Sequence, residues 1–140
     1  MNNINLGRVL LGGLLAGLVL NVGEFLLNDL VLAKQMQDFF ARTGITPPGT
    51  TFLVAAVSLT FVMGIVLVFV YALIRSRLGP GVKTAIVAGL VMWFSLYLYS
   101  GVINGLALGA SSNTILIVLV WGFFQYLLAS IAGAWVYKEA

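Results

Sequence analysis

The chain has no cysteine and no histidine, and its 140 residues carry only seven basic and four acidic side chains. The missing thiols exclude disulfides, thiolate metal sites and cysteine nucleophiles. The missing imidazoles remove the commonest metal and haem ligand and the usual general base. There is no glycine-rich phosphate loop, no GxSxG elbow and no HExxH pair. Only one acid, Glu24, falls inside an apolar run, so one chain offers no pair of carboxylates for acid–base chemistry. An enzyme is therefore not expected, nor is a cofactor or a metal. Charged residues make up 8% of the chain, against about 25% in an ordinary soluble domain. The net charge of +3 is spread over residues at the ends of apolar runs, which argues against nucleic acid as a partner.

What the chain has in abundance is apolar length: 61% of it is hydrophobic. Crossing ~30 Å of hydrocarbon takes about 20 apolar residues. Four segments qualify: about 6–33, 52–74, 84–108 and 114–137. The expected fold is all-α, a polytopic membrane protein with four transmembrane helices in an antiparallel bundle, forming one membrane domain over 1–140. The first run is too long for hydrocarbon alone. Its distal part, with Asn28, Asp29 and Lys34, reads as emerging into an outward amphipathic extension that reaches Arg42, with Asp38 and Arg42 spaced for a solvated helix pair. A single arginine, Arg8, precedes an apolar run longer than a secretory h-region, so the first run reads as an uncleaved span. No internal repeat is visible.

The connections are short and well marked. Gly44 is a helix stop, and Pro47-Pro48-Gly49 forbids continuation. Thr50 or Thr51 is then available as a cap. Residues 75–83, RSRLGPGVK, read as a basic turn broken at Gly79-Pro80-Gly81. Residues 109–113, GASSN, are a shorter turn with Ser112 or Asn113 as the candidate cap. The 75–83 turn holds three basic residues and no acid, which places it on the cytoplasmic side by the positive-inside rule. Arg8 and Lys138 fall on that side too, so both termini are expected in the cytoplasm. Lys34 and Arg42 count against this orientation.

Polar groups inside the spans are few and patterned. Gly13, Gly17, Asn21, Glu24 and Asn28 are spaced by four, four, three and four, which puts them on one helix face. The glycine half of this stripe admits a close backbone neighbour. The other half sets two amides beside a carboxylate. A central acid in a span costs roughly 2.5 to 3.5 kcal/mol on insertion scales, so Glu24 is the leading site candidate. Span three aligns Gly89, Trp93, Tyr97, Ser100 or Gly101, Asn104 and Gly105, and Gly101-xxx-Gly105-xxx-Gly109 forms a second small-residue ladder. Span four aligns Gly122, Gln125, Tyr126, Ala129 and Gly133. Two readings stand side by side. In one, Asn21, Glu24, Asn28, Asn104 and Gln125 converge on a small hydrophilic chamber opening outward. In the other, they only bond across helices or to water at the outer interface. Gly13, Gly17, Gly101, Gly105, Gly122 and Gly133 are the expected packing positions. Trp93 and Tyr97 are candidates for stacking on an organic ligand, whereas Trp135 and Tyr137 are expected at the cytoplasmic headgroups. Span two, plain in Val, Leu and Phe, reads as facing lipid or a partner.

The stretch Asn21-Val22-Gly23-Glu24-Phe25-Leu26-Leu27-Asn28, followed by Val31-Leu32-Ala33-Lys34, resembles that of a group of small, uncharacterised bacterial four-span membrane proteins, mainly over residues 7–34. The resemblance implies a bacterial inner (cytoplasmic) membrane protein and supplies no catalytic residues. The chain is also similar to the small multidrug-resistance transporters in having four short spans and a glutamate in the first. Here the glutamate lies later in its span, and the long connection after it has no counterpart in that family. Three functions are expected from these observations. The first is a non-catalytic accessory or structural subunit of a larger membrane complex, or a homo-oligomer. The second is a small transporter or channel with Glu24 as proton- or ion-coupling group. The third is a lipid, quinone or pigment binding module. The expected partners are the lipid bilayer and other membrane subunits or copies of the chain.

Overall fold

Backbone in hydrocarbon has no water to bond, so an isolated apolar run of this length must close its hydrogen bonds within itself, as a helix. The computed structural model, which describes residues 3–138, is all-helical, with no strand among the described residues. Four helical rods, Leu6–Val31, Thr50–Leu78, Val82–Ala107 and Ser112–Val136, are long and apolar enough to cross a bilayer, which makes this a membrane protein.

The first rod is α1 (Leu6–Phe25), continued by a π-helical stretch, Leu26–Val31. Asn5 caps it, its side-chain oxygen accepting from the Arg8 amide at 3.1 Å. The rod breaks at Leu32, and the amphipathic α2 (Ala33–Thr43) follows, ending at Gly44 with φ +69°. The second rod is α3 (Thr50–Leu78). The third is α4 (Val82–Met92), a second π-helical stretch (Trp93–Leu98) and α5 (Tyr99–Ala107). The fourth is α6 (Ser112–Val136).

Three boundaries differ from expectation. The segment Arg75–Leu78 is helix, not turn, so α3 runs past Ile74 and only Gly79–Gly81 reverses the chain. Arginines in a last turn complement the helix dipole, and their long stems let the charges reach water while the backbone stays helical. The cap of α3 is Gly49, with no side-chain bond, and Thr50 is already helical. Ser111, rather than Ser112 or Asn113, caps α6, accepting from the Thr114 amide at 3.2 Å.

Glycines decide how the rods pack. α1 lies against α3 and α6, and α4 against α6 and α3. A methyl on Gly64 would strike the backbone of Gly13 and Gly17, and one on Gly17 would sit 2.8 Å from Phe61 Cα, so α1 and α3 touch backbone to backbone. Across the other face of α1, a methyl on Gly12 would lie 2.6 Å from the Gly133 carbonyl oxygen. The second ladder meets α6: Gly101 faces Leu119 and Gly105 faces Ile115.

Burial is concentrated at one end. Val9, Ala16 and Leu20 of α1 pack with Leu67, Val68 and Tyr71 of α3, Ala85 and Ala88 of α4, and Ala129 of α6. At this end Thr84 Oγ1 donates to the Gly79 carbonyl at 2.6 Å and the Gly81 amide donates to the Tyr71 hydroxyl at 3.2 Å. Tyr137 is also part of it. Its ring is buried, edge-on to Tyr71 with ring centroids 5.9 Å apart, its hydroxyl accepting from the Asn5 amide at 3.4 Å. Trp135 is 81% exposed. At the other end α2 and α5 contain no buried residue, and Phe52, Leu53 and Val54 in the first turns of α3 stand open.

Candidate functional site

Glu24 is the one acid among the described residues that the apolar rods enclose, and its neighbours come from three of them. Its Oε1 accepts from the Tyr97 hydroxyl at 3.0 Å and from Gln125 Nε2 at 2.9 Å. Its Oε2 accepts from Asn28 Nδ2 at 3.3 Å, and the same amide donates to the Glu24 carbonyl at 2.9 Å. All three donors are neutral. Gln125 is fixed in turn, its Oε1 accepting from Trp121 Nε1 at 3.0 Å, and that indole N–H is shared with the Gly23 carbonyl at 3.1 Å. This second layer holds the amide with its nitrogen toward the carboxylate.

Two glycines make the approach possible. A methyl on Gly23 would overlap the Gln125 side chain, and a methyl on Gly122 would overlap the Tyr97 ring. Two wide helical turns also flank the carboxylate. Leu26–Val31 begins two residues after Glu24 and carries Asn28; Trp93–Leu98 carries Tyr97. Such π-helical departures occur often at functional sites, because the wider turn re-aims side chains at little cost in backbone bonds.

Beside the cluster lies a cavity of about 230 Å³. All four rods line it: Leu20 and Glu24 from the first, Thr60 and Met63 from the second, Leu96, Tyr97 and Ser100 from the third, Gln125 and Tyr126 from the fourth. A separate, wholly apolar groove of about 680 Å³ runs along the outer flank of α1 and α6, walled by Val19, Val22, Leu116, Val120 and Phe124, with Gly23, Trp121 and Gln125 at its base.

The structure thus joins Glu24, Asn28 and Gln125 as the sequence pattern anticipates, and separates the other two polar candidates. Asn21 Nδ2 bonds the Gly17 carbonyl at 2.9 Å and the Val57 carbonyl at 3.4 Å, stitching α1 to α3. Asn104 is exposed on α5 and does not line the cavity. Trp93 is not at the cavity either. Its indole donates to the Leu119 carbonyl at 3.0 Å and its ring meets Phe123 edge-on at 5.4 Å. Tyr97 does line the cavity, with its ring edge-on to Tyr126 at 5.7 Å and its hydroxyl spent on Glu24. Sequence reasoning missed the roles of Trp121, Thr60 and Ser100. Spacing gave a partial signal for Trp121, which is four residues from Gln125 on the same helix face.

At the far end of the molecule Arg42 of α2 donates to the Leu108 carbonyl at 3.0 Å and lies over the Phe39 ring, 5.9 Å from its centroid. The pair expected with Asp38 is replaced by this bond to the end of α5. Comparison of the chain with family models, with curated proteins and with solved structures returned no match.

Proposed function

We propose that this chain is a small, non-catalytic transporter or channel protein in which Glu24 is the ion- or proton-coupling group. One observation carries the reading: the only acid that the rods enclose among the described residues borders a cavity to which all four rods contribute, and its hydrogen-bond partners are neutral. An ionised carboxylate in hydrocarbon is costly, and a proton or a cation taken up beside it relieves that cost. Such a group can therefore load and release as access to it changes. We place the protein in a bacterial cytoplasmic membrane. Arg8, Arg75, Arg77, Lys83 and Lys138 gather at the packed end, which the positive-inside rule assigns to the cytoplasm with both termini. The cavity then lies nearer the outer face.

The test is ion flux into vesicles reconstituted with wild-type protein and with Glu24→Gln. The amide keeps the shape of the cluster and removes the titrating charge. Loss of flux is the expected result, and unchanged flux removes Glu24 from the mechanism.

A second reading is a structural or accessory subunit, or a homo-oligomer. The exposed apolar start of α3 favours it, with Phe52 and Leu53 each 60% exposed and Val54 59% exposed. The interhelical glycines do not add to it, because Gly13, Gly17, Gly101 and Gly105 are used within the chain. Native mass spectrometry from mild detergent separates the two readings. Larger co-purifying subunits support the accessory role, and a bare monomer opposes it.

A further inference from the structure

We infer that the cavity beside Glu24 binds a small monovalent metal cation of the sodium type, which keeps part of its water shell. The inference rests on Glu24 being the ion-coupling group and names the ion.

The argument is an account of donors and acceptors. Two hydroxyls that line the cavity give their protons to their own helices: Thr60 Oγ1 donates to the Ala56 carbonyl at 2.8 Å, and Ser100 Oγ donates to the Leu96 carbonyl. The Tyr97 proton goes to Glu24 at 3.0 Å. Gln125 gives one N–H to Glu24 and retains one. Tyr126 also lines the cavity, and its hydroxyl brings one proton and acceptor lone pairs of its own. Against that O–H and the one uncommitted N–H stand the lone pairs of Glu24, Tyr97, Thr60, Ser100 and Tyr126, every one of them on oxygen. A wall of hard oxygen acceptors around one negative charge repels anions, gives little to neutral ligands that need donors, and suits a hard cation. A single carboxylate balances a single positive charge. No cluster of three or more His, Cys, Asp or Glu exists among the described residues, so a multi-carboxylate divalent site is not what the fold builds.

The size of the cavity is consistent with this. At ~30 Å³ for each water in the liquid, about 230 Å³ is room for roughly seven waters or for an ion with several of them. The apolar remainder of the wall, Leu20, Met63 and Leu96, offers nothing to coordinate, so water completes the shell on that side.

The test uses purified full-length protein in mild detergent and reads tryptophan fluorescence, because Trp121 is bonded to Gln125, which is bonded to Glu24. Sodium chloride is titrated against choline chloride at constant ionic strength, with lithium, potassium and ethylammonium in parallel, at several pH values. The expected result is a saturable sodium response that weakens as pH falls, because protons compete for the same carboxylate. Glu24→Gln abolishes it. Thr60→Val with Ser100→Ala weakens sodium about tenfold or more while leaving the proton response in place, and Thr60→Ser, which keeps the hydroxyl, retains wild-type affinity. Circular dichroism of each variant checks that the helices remain.

A proton response that is lost in Glu24→Gln, with sodium and choline indistinguishable, overturns the metal site and leaves the coupling role of Glu24 standing. Absence of both responses overturns both. Saturation by ethylammonium and not by sodium overturns the inference in favour of an organic cation. The comparison of sodium with choline and ethylammonium on the wild-type protein decides the metal site without any variant having to fold.

Discussion

The two ends of the bundle are built on different principles. At the packed end, rods meet through glycine and alanine, backbone against backbone, and tyrosine hydroxyls tie down the turns and the terminus. At the open end, rods meet through side chains, α5 has no buried residue, and the first turns of α3 stand clear. Glu24 sits at the boundary, seven residues along α1 from Gly17, where close packing gives way to a cavity. The difference teaches how an acid is accommodated in a small bundle: one end is made rigid enough to define positions, and the other is left loose enough to admit an ion.

Four substitutions break or sharpen this contrast. The largest effect is expected for Gly64→Ala. The atoms in its way are the Gly13 carbonyl oxygen and the Gly17 backbone, which cannot rotate aside. A loss of about 3 kcal/mol is expected in denaturant unfolding from micelles. A loss under about 0.5 kcal/mol would show that the packed end is not tight. Next is Gly122→Ala, which drives the Tyr97 ring off its seat and costs about 2 kcal/mol. A change in Trp121 emission should accompany it, because the cluster shifts as a unit. Third is Tyr97→Phe, which removes one hydrogen bond to Glu24 and should cost about 1 kcal/mol, since polar bonds between membrane helices are modest. Its effect on ion affinity should exceed its effect on unfolding. Smallest is Gly101→Ala, the open-end counterpart of Gly64→Ala. Its nearest obstacle is the tip of the Leu119 side chain at 3.2 Å, which can give way, so a change within about 0.5 kcal/mol is expected. Equal effects of Gly64→Ala and Gly101→Ala in the same unfolding assay would erase the distinction between the ends.

The four rods were legible from the sequence because a bilayer imposes a length and forbids charge, and few other constraints produce such runs. Much of the packing was legible too, since glycine at intervals of four has little other use in a span. The boundary at Arg75–Leu78 was not, because arginine marks the edge of hydrocarbon and not the end of a helix. The site was half legible. Glu24, Asn28 and Gln125 follow from polarity and spacing. Asn104 does not join them; it stands exposed on α5, one turn beyond Ser100. Counting by threes and fours from Trp93 through Tyr97 to Asn104 assumes an unbroken α-helix, and the π-helical stretch at Trp93–Leu98 interrupts that count. Ser100 and Asn104 share a face of α5, one turn apart, so Asn104 misses the cavity by its height along the rod. Tyr97 was read as a ring for stacking on a ligand, and its hydroxyl bond to Glu24 was not foreseen, because the sequence does not show which part of an aromatic residue, ring or polar tip, a fold will use.

The bond between Gln125 and Glu24 spans 101 positions, and this has a consequence for biogenesis. At about 5 to 20 residues per second, a ribosome needs roughly 5 to 20 s to travel from one codon to the other. Throughout that interval the first rod has its acid in place and lacks both long-range donors, since Tyr97 and Gln125 arrive only with the third and fourth rods. Asn28, four residues away, is its one early partner. The nascent first rod therefore has to wait beside water, headgroups or the insertion machinery, with α3 already able to dock on its glycines. The last rod to be synthesised completes the first.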